Sequence, residues 1–293
     1  FDEPDQFVNV IRNLIAAHVA IYDAIRTHDT VDADGDGVAA HIGLTLSVAE
    51  WAPARGNASS DNPDDIAAAE RIRYFYHEIF PRSILDGTFD PDVDGVGDEP
   101  QPTWEGKLDW LGVQYYFRAG VSAETPLVPI LDLIPCAGGF DFGSCLPTED
   151  ETWWVPSMHY EYWPEGLYKI LGELGAAFPD LPMAVTEGGI ATKTGARRAD
   201  NIVRSLEGIA QAIEDGVDVR GYYHWSLMDN FEWLEGYEPR FGLYTVDLDT
   251  YERTPTMGAT VLGEIAAARA VSEALRDTHG GLGPMHPEAD EAD

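Results

Sequence analysis

The stretch from Trp225 to Gly236, Trp-Ser-Leu-Met-Asp-Asn-Phe-Glu-Trp-Leu-Glu-Gly, sets two tryptophans and a phenylalanine among Asp229, Glu232 and Glu235, with Tyr237 directly after. A core strand has no use for Asp-Asn and Glu in mid-stretch, because buried carboxylates without partners are costly. A solvated loop has no use for Trp-Phe-Trp. A carbohydrate subsite uses both: aromatic faces stack on the C–H faces of a pyranose, and carboxylates accept from its hydroxyls. The alternative is an aromatic satellite core under a loop.

Two further clusters could bind cations. Asp32-Ala-Asp-Gly-Asp-Gly37 and Asp90-Pro-Asp-Val-Asp-Gly95 both carry the Asp-x-Asp-x-Asp-Gly opening of a calcium loop, with oxygen ligands on alternate residues and Gly for the turn. They nominate Asp32, Asp34, Asp36, Asp90, Asp92, Asp94 and, at the ninth position of the second loop, Asp98. Gly43 and Gln101 stand where the twelfth-position Glu would be, and solvated acidic turns are the alternative. Cys136 and Cys145 flank a glycine-rich loop of a length that closes easily. A disulfide there would favour an extracellular or periplasmic home; two unpaired thiols are the other reading.

The elements that must position these groups alternate. Val8, Ile11, Ile15, Val19, Tyr22 and Ile25 predict an amphipathic helix from about Asp5 to Arg26. Asn62-Pro63-Asp64-Asp65 reads as a capped helix start before Ile66 to Phe80. Helices are also expected over Pro164–Phe178, Arg197–Asp215 and Thr256–Leu275. Strands are expected at His41–Leu46, Leu108–Tyr116, Met183–Thr186 and Val219–Ser226. This order predicts an α/β fold with a parallel sheet, a (β/α) barrel whose loops carry function. The acidic, Gly- and Pro-rich residues 277–293 are expected to be a disordered tail after a single domain over 1–276.

The formal charge of −34, with Lys107, Lys169 and Lys193 as the lysines, argues against nucleic acid or an anionic membrane as partner. It fits a chain adapted to high salt, which would allow a cytoplasmic home, or one carrying acidic cation loops. No apolar run is read as a membrane span.

Several motifs together resemble glycoside hydrolase family 1, the retaining β-glucosidases. Trp225-Ser-Leu-Met-Asp-Asn-Phe-Glu-Trp233, Gly236-Tyr237, Arg240-Phe-Gly242, Val246-Asp247 and Arg253-Thr-Pro255 are similar to its C-terminal signature. Val185-Thr-Glu-Gly-Gly-Ile-Ala191 is similar to its nucleophile segment, Leu108-Asp-Trp-Leu-Gly-Val-Gln-Tyr-Tyr116 to one of its strands, and Phe1-Asp-Glu-Pro4 to its acid/base motif. The resemblance implies an eight-unit (β/α)8 TIM barrel, of which this chain holds the second half, from the end of strand 4 to helix 8. A half barrel leaves open edges and an exposed apolar face. The chain is therefore expected to need an N-terminal half-barrel or a second chain, and to be inactive alone.

By the same resemblance Glu187 is the nucleophile and Glu3 the acid/base, two carboxyls about 5–5.5 Å apart in retaining enzymes. Asp2 replaces an Asn beside the sugar 2-OH. Tyr116 orients the nucleophile, Trp225 floors the −1 sugar, Glu232 and Trp233 hold its hydroxyls, Phe241 lies near its C6 arm, and Tyr160 falls where an aglycone platform stands. The last has a core-aromatic alternative. Gly188 and Gln114 depart from the family's Asn at their positions. Glu232 beside O6 would repel a phosphate, so the expected substrate is a neutral, terminal β-D-glucoside or related β-glycoside. No catalytic cofactor is expected. A non-catalytic sugar- or partner-binding relative and a transglycosylase on the same site are the competing readings.

Overall fold

The computed structural model describes residues 4–124, 131, 133–135, 146 and 148–288. Four parallel strands form its centre: β1 (Gly43–Arg55), β2 (Trp110–Ser122), β3 (Met183–Gly188) and β4 (Val219–Tyr222). They lie in the order β4-β3-β2-β1, each beside its sequence neighbour. Helices supply the crossovers: α2 (Pro63–Arg73) and α3 (Ile79–Asp86) join β1 to β2, α4 (Gly166–Ala177) joins β2 to β3, and α5 (Gly195–Glu214) joins β3 to β4. Before them runs α1 (Pro4–His28), and after them α6 (Met257–Ala268) and α7 (Glu273–His279). Sequential neighbours with helical crossovers are the winding of a (β/α) barrel, and four strands make a half-barrel sheet.

The period-2 pattern of β2 decides which side chains face which layer. Leu111, Val113 and Tyr115 are buried in the main core with Val48, Met183 and Val185 and with Leu167, Ile170 and Leu171 of α4. Gly112, Gln114 and Tyr116 take the other face. A Cβ on Gly112 would come within 2.6 Å of Thr45 and 2.9 Å of Thr186, so glycine is what lets three strands close up in that layer. The start of α2 matches its sequence signals: Asn62 accepts from the Asp64 N–H at 2.9 Å, with Pro63 in the first turn. The wholly buried Asp65 then ties α2 to both neighbouring strands, accepting from Arg55 at 2.7 Å and from the Ala123 N–H at 2.9 Å.

Several expectations need correction. β1 and β2 run on to Arg55 and Ser122, while β4 ends at Tyr222. The closing helix is two helices, α6 ending where Arg269 adopts a left-handed φ of 53°. The segment 277–288 is packed rather than disordered: His279 and Met285 are buried, and His286 is hydrogen-bonded to Asp200 on α5. The exclusion of a membrane span was also too strong. Residues Gln6–His28 of α1 are long and apolar enough for one by length and composition alone. Here Val8, Ile11, Ile15 and Val19 of α1 pack into the core, while Val10, Leu14 and Ile21 are exposed.

Candidate active site

The register between β2 and β3 slips at one point. Val113 pairs with Val185, but the next residue, Gln114, pairs with Glu187, leaving Thr186 as an extra residue on β3. A bulge of this kind re-aims the side chain that follows it. It puts Glu187 at the C-terminal end of β3, on the face that carries Gln114 and Tyr116. The Gln114 amide donates to Oε1 of Glu187 at 2.8 Å, and the Tyr116 hydroxyl donates to Oε2 at 2.8 Å. Both carboxylate oxygens are thus held by donors from one neighbouring strand. Burial, and then the bond to Glu187, push the Tyr116 hydroxyl well above the usual phenol range, so it stays protonated as a donor. The Tyr116 ring meets Phe241 edge-on, with centroids 5.8 Å apart.

Trp225 stands on the next strand connection. Its N–H donates to the Gly188 carbonyl at 3.0 Å, and its indole Nε1 donates to Glu232 at 3.2 Å. The Trp225–Ser226 peptide is cis. Burial raises the pKa of Glu232, hydrogen bonds from Trp225 and Asn230 pull it down, and the Glu187 carboxylate lies close enough to raise it. The two glycines after Glu187 differ. A Cβ on Gly189 would lie 2.1 Å from the Trp225 carbonyl, whereas one on Gly188 would meet nothing nearer than 3.6 Å. Gly189 is needed for the close approach; Gly188, the departure, has room for a side chain.

The loop carrying Glu232 is anchored at its base. Asp229 is buried, accepting from the Gly242 N–H at 2.9 Å and pairing with Arg240 at 3.2 Å. Beyond that anchor the loop is open: Phe231, Trp233 and Leu234 are exposed, Trp233 at 83%. Phe231 and Tyr237 pack edge-to-face, 5.3 Å apart.

The structure therefore brings together Glu187, Tyr116, Phe241, Trp225 and Glu232, with Trp233 on the adjoining open turn. Tyr160 is a correction. It is 4% exposed and stacked on Phe117 at 5.3 Å, which makes it a core aromatic with no open face to serve as a platform. Asp2, Glu3, Cys136 and Cys145 lie outside the described residues. In the acidic loops Asp32, Asp34 and Asp36 converge, as do Asp90, Asp92 and Asp94, each trio with ligand atoms within 4.8 Å of one another. Their carboxylates also accept from loop amides, Asp32 from Gly35 at 2.7 Å and Asp90 from Gly95 at 2.7 Å. Asp98 is exposed and outside the second trio. Sequence reasoning missed Gln114 as a donor, which only the register reveals, and Asp229 as the anchor; its place in the aromatic signature was the available signal.

A carboxylate oriented at a strand's C-terminal end, beside a tryptophan and a second acid on a (β/α) half-barrel, has the layout of a barrel glycosidase site. The chain belongs to glycosyl hydrolase family 1, whose family model matches residues 2–270. Among curated relatives it is 34% identical over 281 residues to a β-galactosidase of Pyrococcus woesei, covering 94% of this chain and 54% of the relative. To a β-glucosidase of Agrobacterium sp. it is 32% identical over 231 residues, covering 73% and 46% respectively. Among solved structures it resembles a β-glycosidase from Pyrococcus horikoshii, with a TM-score of 0.76 and 30% identity over 95% of this chain and 58% of that one. The chain spans about half the length of the curated relatives it matches.

Proposed function

We propose that the protein of which this chain supplies the second half-barrel, strand 4 onward, hydrolyses terminal β-D-glucosyl or related β-glycosyl residues with retention. The observation that carries this reading is the Glu187 carboxylate, held on both oxygens by Gln114 and Tyr116. In the proposed chemistry Glu187 attacks the anomeric carbon while Glu3 protonates the leaving oxygen. Glu3 then takes a proton from water as water displaces Glu187, restoring both carboxyls. Trp225 supports the sugar ring, and Glu232, with its indole partner, accepts from sugar hydroxyls and disfavours phosphorylated sugars by charge repulsion. The relatives' names support a glucoside or galactoside.

The same proposal makes the described half-barrel inactive until the remaining strands close it, and needs no cofactor in the chemical steps. Calcium in the two Asp loops would be structural, and an unchanged melting temperature in EDTA would remove it. An oxidising location outside the cytoplasm goes with a Cys136–Cys145 disulfide; a salt-filled cytoplasm goes with the acidity alone.

The test is p-nitrophenyl β-glucoside, β-galactoside and β-fucoside hydrolysis by a chain containing the whole barrel, beside its Glu187→Gln variant. Release abolished by the substitution is the expected result. No release by the intact enzyme would sink the hydrolase reading, and equal release by the variant would sink the nucleophile assignment.

A further inference from the structure

Away from the barrel mouth, α5 and the C-terminal segment bring three metal-ligating side chains together. Asp200 lies in the first turns of α5, His279 ends α7, and His286 follows in the strap that crosses back over α5. Asp200 Oδ1 is 2.7 Å from His279 Nδ1 and 2.9 Å from His286 Nδ1. Its Oδ2 accepts the His286 backbone N–H at 2.7 Å. The three ligand atoms all lie within 4.8 Å of one another.

Burial makes this cluster more than a surface contact. Asp200 is 1% exposed and His279 7%. A buried carboxylate requires a positive partner. The neighbouring guanidinium groups point elsewhere: Arg204 donates to the carbonyls of His279, Gly283 and Pro284, and Arg197 to the carbonyl of Trp154. What faces the Asp200 oxygens is two imidazole nitrogens and the His286 backbone N–H, with the Arg197 charge nearby but not hydrogen-bonded to them. The family match ends at residue 270, so two of the three side chains come from beyond it.

We propose that Asp200, His279 and His286 form a binding site for a borderline divalent cation of the Zn2+ class. Two imidazole nitrogens and one carboxylate oxygen are the ligand types such an ion takes, whereas Ca2+ and Mg2+ prefer all-oxygen sets. On binding, the ion displaces the Nδ1 protons: a neutral imidazole keeps its one proton on Nε2, an imidazolium releases the other to solvent, and each Nδ1 gives its lone pair to the metal. Tetrahedral bonds of about 2.0–2.1 Å open the ligand spacing to about 3.3 Å, and a water completes the set on the more exposed His286 side.

The ion would fasten a strap that is tied to the turn at 151–155 and to the loop following β3. The strap's Gly283 carbonyl accepts from Trp153 Nε1 at 3.3 Å, and the Met285 N–H donates to Thr152 Oγ1 at 2.8 Å. Glu288 accepts from the Lys193 N–H at 2.8 Å, and Lys193 lies in the loop that leaves β3 after Glu187. Cation binding is therefore expected to rigidify both the 151–155 turn and that loop. The inference stands apart from the glycosidase reading, since its readout needs no turnover.

The test is titration of the untagged, EDTA-treated full chain with Zn2+ by calorimetry, and with Co2+ followed by visible d–d absorption. One equivalent of each is expected, with a melting temperature raised by several degrees in Zn2+ and unmoved by equal Mg2+. His286→Gln, at the least buried ligand, should fold normally and lose the Co2+ bands; Asp200→Asn should weaken them. Binding of Zn2+ no tighter than Mg2+, or Co2+ bands unchanged in His286→Gln, would overturn the site and leave a hydrogen-bonded clasp without metal.

Discussion

The strand that carries Glu187, the proposed nucleophile, and the aromatic loop sit on the same half-barrel yet are held in different ways. Glu187 is placed by a ladder: β3 is hydrogen-bonded on both sides, and two side chains of β2 grip both carboxylate oxygens. Trp233 and Leu234 are placed by an anchor several residues away, the buried Asp229, and are themselves 83% and 96% exposed. Under the proposed function, the group that must be positioned to within a fraction of an ångström stands on rigid backbone, and the groups assigned to variable substrate stand on a loop. With the proposed function, the difference predicts a separate loss for each region: chemistry on β3, stability at the loop's base, and affinity at its tip.

The largest effect should come from β3. Glu187→Gln keeps the size of the side chain and removes the proposed nucleophile, so hydrolysis by the whole-barrel enzyme should fall by more than about a thousandfold, with folding unchanged by circular dichroism. The next tests the loop's anchor. Asp229→Ala leaves Arg240 and the Gly242 N–H without their acceptor, a change expected to cost about 3 kcal/mol in urea unfolding. Asp229→Asn, which can still accept from Gly242, should cost less. If both variants unfold like wild type, the anchor is elsewhere.

Tyr116→Phe removes one of two donors to Glu187, a bond to a charged group worth about 1.5–3 kcal/mol. Hydrolysis should drop by tens of fold, and a KM effect without a kcat effect would argue against an orienting role. The junction between the regions is His224, whose Nδ1 lies 2.9 Å from the Tyr222 hydroxyl. Burial, and then the nearby Arg198, push its pKa down to about 3. The unfolded chain takes up that proton first, near pH 6.5, so stability is lost as pH falls from about 6.5 toward 3, by about 1.4 kcal/mol per pH unit. Denaturant midpoints at pH 7 and pH 5 should show this slope, reduced in His224→Phe. The smallest effect belongs to the tip. Trp233→Ala should change stability by less than about 0.5 kcal/mol while raising KM. A large loss of stability there would erase the contrast between tip and base.

Sequence reading reached far where information is local. The helical spacing of Val8, Ile11, Ile15 and Val19, the Asn62-Pro63 cap and the four parallel strands were all legible, because each rests on a few neighbouring residues. So was the pairing of Tyr116 with Glu187, through the family resemblance carried by their motifs. Tyr160 misled, because an aromatic in a Tyr-Glu-Tyr-Trp run reads alike whether its ring faces solvent or Phe117.

By itself, then, the sequence determined the family, the order of strands and helices, and the residue types at the site, since motif and periodicity are properties of the chain read in line. The tertiary structure decided the bulge at Thr186 that turns Glu187 toward Gln114, the burial of Asp229, and the strap that folds 277–288 back onto α5. Asp200 meets His279 and His286 across 79 and 86 residues. Such contacts are set by how helices and strands close on one another, and no local pattern records them.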